Sequence, residues 1–139
     1  MRRTRAELYH VKAFEEPYDD TIRERIAGIS PMDYTRMGPP IRHATELLSH
    51  AEAKVRLLIL LTDGKPEDYD DYKGEYAVED TRHALIEAKS HGIHPFCITI
   101  DREARAYIPH MFGEINYVLI NDVRRLPVRF PEIYRALTS

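Results

Sequence analysis

Cysteine, tryptophan and long apolar runs are what this sequence has least of. Its 139 residues include one cysteine, Cys97, and no tryptophan. A single cysteine excludes an internal disulfide and a cysteine-based zinc site. The longest apolar run, residues 55–61, contains Arg56 and is far too short to cross a bilayer. No apolar segment follows the basic start at residues 1–5, so a signal peptide is not predicted. A cytoplasmic location is the simplest prediction.

A large excess of charge of either sign is also missing. The formal net charge is -3, which provides no general attraction for nucleic acid or for an anionic membrane. We therefore expect neither nucleic-acid binding nor membrane insertion. The length suits one compact domain with a core of ordinary size. We treat residues 1–139 as a single domain.

Apolar strands alternate with amphipathic helices along the chain. Alternation at 6–14 predicts a polar edge strand. The strongest strand is 55–61, an aliphatic run that is typical of strands buried on both faces of a parallel sheet. The remaining predicted strands are 94–100 and 115–120, and the predicted helices are 19–28, one opening at 38–40, 77–90, one capped by Asp101, and one from Pro131 through Leu137.

This order predicts an α/β fold with a Rossmann-like, doubly wound, mostly parallel sheet. Helices between the last three strands make those strands parallel neighbours with right-handed connections. Ligands in such folds bind beyond the carboxyl ends of the strands. Asp63 follows the strand 55–61 directly and precedes Gly64. Asp63 is therefore the first candidate for a metal or polar ligand.

Five segments in the same order carry a resemblance to a known family. They resemble the von Willebrand factor A (VWA) domain of the NorD and CbbO type, nearly over the whole chain. The segments are Asp33–Ala44, which includes Thr35, then Leu60–Pro66, Glu79–Arg82, Thr99–Ala104 and Ile133–Leu137. The resemblance implies a protein-interaction or scaffold domain rather than an enzyme. Its partners would be an AAA+ ATPase of the MoxR class and a target that they activate together, a metalloenzyme such as nitric oxide reductase, or rubisco.

The resemblance also implies a magnesium site. A domains bind the ion in a metal-ion-dependent adhesion site, where an open position can accept a carboxylate from a partner. By match to the family, Thr35 and Asp63 are the metal ligands. The family's Asp-x-Ser-x-Ser loop has no match, because none of the four serines has the required spacing. We therefore expect a partial VWA domain, truncated at its N-terminus, with weak or no Mg²⁺ binding by this chain alone.

The missing segment has a structural consequence. In the family the first strand lies beside the strand that corresponds to 55–61, so this edge should be exposed. We expect it to pair either with residues 6–14 or with the same edge of a second copy.

Simpler interpretations stand beside these. Thr35 can cap a helix, Asp63 can initiate a turn, and the acidic run between Glu67 and Glu75 fits a solvated loop better than a calcium site. Cys97 is expected in the core. Two further functions stay open: a phosphohydrolase that uses Asp63 with Asp68 or Asp70 as Mg²⁺ ligands, although no phosphate-binding motif is present, and a metal-free interaction domain.

Overall fold

The computed structural model of the chain describes residues 7–31, 36–65, 74–113 and 116–139. Five α-helices and three strands alternate over these residues. In chain order they are α1 (Asp20–Ala27), α2 (Gly38–Ser49), β1 (Arg56–Thr62), α3 (Gly74–Ser90), β2 (Ile93–Thr99), α4 (Ile108–Phe112), β3 (Tyr117–Leu119) and α5 (Leu126–Thr138), with short 3₁₀ turns at Ala104–Ala106 and Val123–Arg125.

The strands form one parallel sheet in the order β1-β2-β3. Leu60 of β1 is opposite Cys97 of β2, and Cys97 is in turn opposite Tyr117 of β3. Helix α3 connects the first pair of strands and α4 connects the second, as parallel pairing requires. The predicted α/β class, strand order and strand direction are confirmed.

The core lies between the sheet and helices α2, α3 and α4. Helix α3 buries one stripe of residues, at spacings of three and four, against it. The largest side chains of this core include Phe112, Leu85 and Ile108, all fully buried. Cys97 lies in the same cluster with no exposed surface, which confirms its prediction as a core residue. Burial raises the pKa of its thiol to about 12.

Helices α2 and α3 are joined by charge as well as by packing. Arg42 Nη1 lies 2.8 Å from Asp80 Oδ1, and Arg42 Nε lies 3.4 Å from Glu87 Oε2. The Asp80 carboxylate lies against Gly38 at the first turn of α2. A negative charge there is favourable because the N-terminus of a helix carries a partial positive charge.

The predicted strand at 6–14 is wrong over the residues that the structure describes. Residues 7–13 have no regular secondary structure, and 14–16 form a turn. The segment is instead held by side chains, as Arg25 Nη1 donates to the Val11 carbonyl at 3.1 Å and pairs with Glu16 at 2.8 Å. It is therefore not the strand that pairs the open side of β1.

Two helix predictions also need correction. The terminal helix begins at Leu126, not at Pro131, because Pro127 occupies the first turn, where proline is well tolerated. Pro131 lies inside this helix. The helix predicted after Asp101 is broken into the 3₁₀ turn Ala104–Ala106 and the short α4.

Strand β1 forms one edge of the sheet. In the described part of the chain only β2 pairs with it. Its side chains are mostly half-buried, and Leu61 is 58% exposed. No helix among the described residues is long and apolar enough to cross a membrane.

Candidate functional site at the carboxyl edge of the sheet

Two aspartates follow the adjacent strands β1 and β2 at the same edge of the sheet. Thr62 and Thr99, the last residues of these strands, are opposite each other in the register. Asp63 is one residue beyond the first and Asp101 two beyond the second. The carboxyl edge is where parallel sheets bind ligands, so the position predicted for Asp63 is confirmed.

The turn at Asp63 is held by its neighbour. The Thr62 hydroxyl donates to the Gly64 carbonyl at 2.9 Å and lies 3.3 Å from the Gly64 amide. Asp63 itself is exposed, and its carboxylate makes no hydrogen bond to another described residue. The Thr62 bonds therefore explain the turn without a contribution from the Asp63 side chain. Its oxygens can accept an external ligand.

Asp101 is committed to its own loop. Its Oδ1 accepts the Glu103 amide at 3.0 Å, and its Oδ2 accepts a hydrogen bond from the Tyr107 hydroxyl. Its own amide donates to the Thr99 hydroxyl at 3.0 Å. The predicted capping role agrees with these bonds. Asp101 is a rigid acceptor at the edge of the site rather than an available ligand.

Tyr107 is a member of the site that the sequence analysis missed. The residue is only 4% exposed, and burial, the hydrogen bond to Asp101 and the negative charges of Asp101 and Asp63 all raise its pKa. The hydroxyl is therefore a permanent donor at neutral pH. Lys65 Nζ lies 5.4 Å from the centre of this ring, close enough for a cation–π interaction. The six-residue spacing from Asp101 to Tyr107 fits no standard helix pair, so it gave no signal.

An apolar groove of about 600 Å³ leads to Asp63 along the open edge of β1. Leu58 and Leu60 contribute from one face of the strand and Leu61 from the other, since side chains alternate between faces. Helix α2 and the two residues before it form another wall, with Arg36, Met37, Pro40, Ile41 and Ala44. The other lining residues are Leu8, Ile98, Ile100, Val123 and Leu126. Because both faces of β1 line it, the groove surrounds the strand edge.

The other predicted ligands cannot be placed. Thr35, Asp68 and Asp70 lie outside the described residues, so the proximity of Thr35 to Asp63 stays a prediction. Within the described residues no group of three or more His, Cys, Asp or Glu side chains is arranged to hold a metal ion. Asp63 provides one exposed carboxylate, which is a suitable ligand for Mg²⁺ but does not hold the ion alone.

Fold and site together define an α/β protein with a parallel sheet and an available carboxylate at its carboxyl edge. No family model matches the chain, and no solved structure matches it. Among curated proteins, Protein NorD of Stutzerimonas stutzeri is 52% identical over 122 residues, which is 88% of this chain and 20% of that protein. Protein NorD of Brucella abortus is 46% identical over 138 residues, 99% of this chain and 22% of that protein.

An uncharacterised protein of Pseudomonas aeruginosa is 47% identical over 137 residues, again 99% of this chain and 22% of the relative. The chain is therefore homologous to a segment of the NorD proteins, and it spans about a fifth of the length of the curated relatives it matches. This confirms the NorD part of the resemblance.

Proposed function

We propose that this chain is a protein-binding segment of a NorD-type accessory protein that takes part in activating nitric oxide reductase or a related metalloenzyme. The observation that carries the proposal is the 52% and 46% identity to NorD proteins over nearly the whole chain. At that identity the core and the loops of a segment are expected to keep their roles. A scaffold role also fits an exposed carboxylate at the end of an apolar groove, which presents a binding surface.

The segment is proposed to belong to a VWA-type domain. The parallel sheet with Asp63 after its strongest strand agrees with that fold. The open edge of β1, lined on both faces by the groove, has the shape that an additional strand would fill. Since the matching segment is only 20% of the Stutzerimonas stutzeri protein, another part of such a protein can supply this strand.

Asp63 is proposed as a ligand of Mg²⁺ in the complete domain, with Thr35 as a second ligand. The exposed Asp63 carboxylate supports this, because its oxygens are not used by the turn. A bound Mg²⁺ would supply an open coordination position for a carboxylate of a partner protein. The chain's own contribution is to hold the turn after Asp63 through the Thr62 bonds and to place the Lys65 ammonium over the Tyr107 ring, where a cation can also attract an acidic partner.

The proposed partners are an AAA+ ATPase of the MoxR class and the enzyme to be activated. The Asp63 edge is the surface proposed to contact them, because its carboxylate is exposed at the end of β1. A metal-free interaction domain is the second candidate. It is favoured by the absence of a three-residue metal cluster among the described residues and by the Lys65 ammonium over the Tyr107 ring, a cation that can bind an acidic partner without a metal.

Magnesium titration distinguishes the two candidates. The protein to use is Stutzerimonas stutzeri NorD whose matching 122 residues are replaced by this sequence, because the complete domain is then present. We expect calorimetry to detect Mg²⁺ binding that Asp63→Ala abolishes. Glu52→Ala, at an exposed carboxylate that precedes β1 and so lies at the opposite end of this strand from Asp63, should leave binding unchanged. Equal affinity in the Asp63→Ala and parent chimeras would eliminate the proposed ligand and leave the metal-free candidate.

A further inference from the structure

Two histidines face each other between the irregular N-terminal segment and helix α2. His10 Nε2 and His43 Nε2 are 3.3 Å apart, and the ring centres are 5.2 Å apart with the planes inclined at 79°. His10 is exposed and His43 is half-buried, so water reaches the space between them. The residues are 33 positions apart in the chain, and only the fold brings them together.

The separation of the two nitrogens is one that a shared metal ion also produces. Without an ion, one imidazole N–H can donate to the nitrogen of the other ring at 3.3 Å. Two nitrogens bound to one tetrahedral ion at about 2.0–2.1 Å are about 3.3 Å apart. The two Nε2 atoms therefore lie at the separation expected of two ligands of one ion.

We propose that His10 and His43 together bind a borderline transition-metal ion of the Zn²⁺ class through their Nε2 atoms. Neutral imidazole suits zinc, copper and nickel and does not suit Mg²⁺. Within the described residues no third His, Cys, Asp or Glu completes the cluster, so water occupies the other positions. This site differs from the proposed Asp63 site in its residues and in the ion it selects.

Binding of the ion would fasten the N-terminal segment to α2 at the entrance to the groove. Leu8, two residues before His10, lines the groove, and so does Ala44, which follows His43. The segment has no regular secondary structure and is held mainly by the Arg25 contacts to Val11 and Glu16. The ion would therefore fix Leu8 in the groove wall and reduce the freedom of a partner to enter there.

Zinc titration of the full chain tests the proposal. Calorimetry with ZnCl₂ should show one site per chain, and NMR of the imidazole nitrogens should show large shifts at Nε2 of His10 and His43. His10→Ala and His43→Ala should each lower the affinity by about tenfold or more, since removing even an outer-shell partner of a metal site costs 10–100-fold. His91→Ala, at an exposed turn, is the control and should bind as tightly as the parent.

The nitrogen shifts are read on the unchanged protein, so the result does not depend on whether a variant folds. If the NMR signals of the His10 and His43 nitrogens do not shift in the presence of zinc, the proposal is overturned. The two histidines would then only contact each other, without a metal ion. An equal loss of affinity in His91→Ala would also overturn the proposal. Asp63→Ala should not change zinc binding, which separates this outcome from that of the proposed magnesium site.

Discussion

At the scale of single residues, the closest packing is found where α2 meets α3. A methyl group at Gly38 would overlap Asp80 Oδ2 and would lie 2.7 Å from Asp80 Cγ. The carboxylate cannot move aside freely because Arg42 holds it. Position 38 therefore requires glycine because the Asp80 side chain approaches it closely. The backbone conformation does not require glycine there, since the φ angle of Gly38 is not positive.

Gly38→Ala should therefore destabilise the fold, by about 1–3 kcal/mol in the free energy of unfolding, as overpacked sites do. Gly64→Ala is the matched control, because a methyl group there would have no neighbour within 4 Å and the φ of Gly64 is not positive. Its effect should stay within about 0.5 kcal/mol. Urea denaturation of the two variants measures the difference. Equal effects would show that Asp80 and Arg42 rearrange without cost.

The Cys97 thiol should be inert in the folded protein. Burial raises its pKa to about 12, whereas an unfolded cysteine titrates near 8.5, so the reactive thiolate is depleted about 1000-fold at pH 8. A thiol-reactive dye should label the native chain at least about 1000-fold more slowly than the chain in denaturant. Above about pH 8.5 the Cys97 thiol loses its proton in the unfolded state but keeps it in the folded state. The contribution of Cys97 to the free energy of unfolding therefore falls as the pH rises above that value. Comparable labelling rates would place Cys97 at the surface.

At the scale of elements, the sequence predicted best where a strong pattern also has a partner in the fold. Strand β1 and helix α3 were predicted correctly because each has a strong apolar pattern, and the apolar residues of both pack into the same core. Residues 6–14 were predicted as a strand from their alternation, a pattern that does not show whether a neighbouring strand exists. The start of α5 was predicted five residues late because a proline is typical of the first turn of a helix, and both Pro127 and Pro131 fit that position.

Pro131 should weaken helix α5 from within. It has no N–H to donate to the Pro127 carbonyl, and its ring crowds that carbonyl. Pro131→Ala should stabilise the helix by about 1–3 kcal/mol, whereas Pro127→Ala, in the first turn, should change it little. Amide exchange of α5 measures this locally, and the amides should exchange more slowly only in Pro131→Ala. Similar exchange in both variants would show that α5 is held by its packing instead.

At the scale of the whole molecule, the sequence predicted the parallel sheet and the position of Asp63 but not the complete site. The topology of the sheet follows from the order of strands and helices, and the apolar patterns of the sequence predict that order. The pairing of Asp101 with Tyr107 depends on how the loop after β2 folds over the edge, which no local pattern encodes. The predicted approach of Thr35 to Asp63 lies outside the described residues and stays a prediction.

The open edge of β1 should make the isolated chain self-associate. Among the described residues no strand pairs with the outer edge of β1, and residues 7–13 do not fill the position, so the backbone groups beside the exposed Leu61 favour pairing with a second copy. Sedimentation should show a concentration-dependent dimer that Leu61→Lys weakens. Leu47→Lys, at a leucine of α2 that is 45% exposed, is the control and should not affect it. A monodisperse monomer in which only every second β1 amide is protected would show that the open edge is tolerated.

The central claim is that this chain acts as a segment of a NorD-type activator through the Asp63 edge. The most direct measurement is nitric oxide reductase activity in Stutzerimonas stutzeri cells whose NorD carries this sequence in place of its matching 122 residues. We predict that the chimera supports activity, that Asp63→Ala in the chimera removes most of it, and that Glu52→Ala, at the opposite end of β1, does not. Full activity with Asp63→Ala, or an inactive chimera that is folded and present at the normal level, would contradict the account.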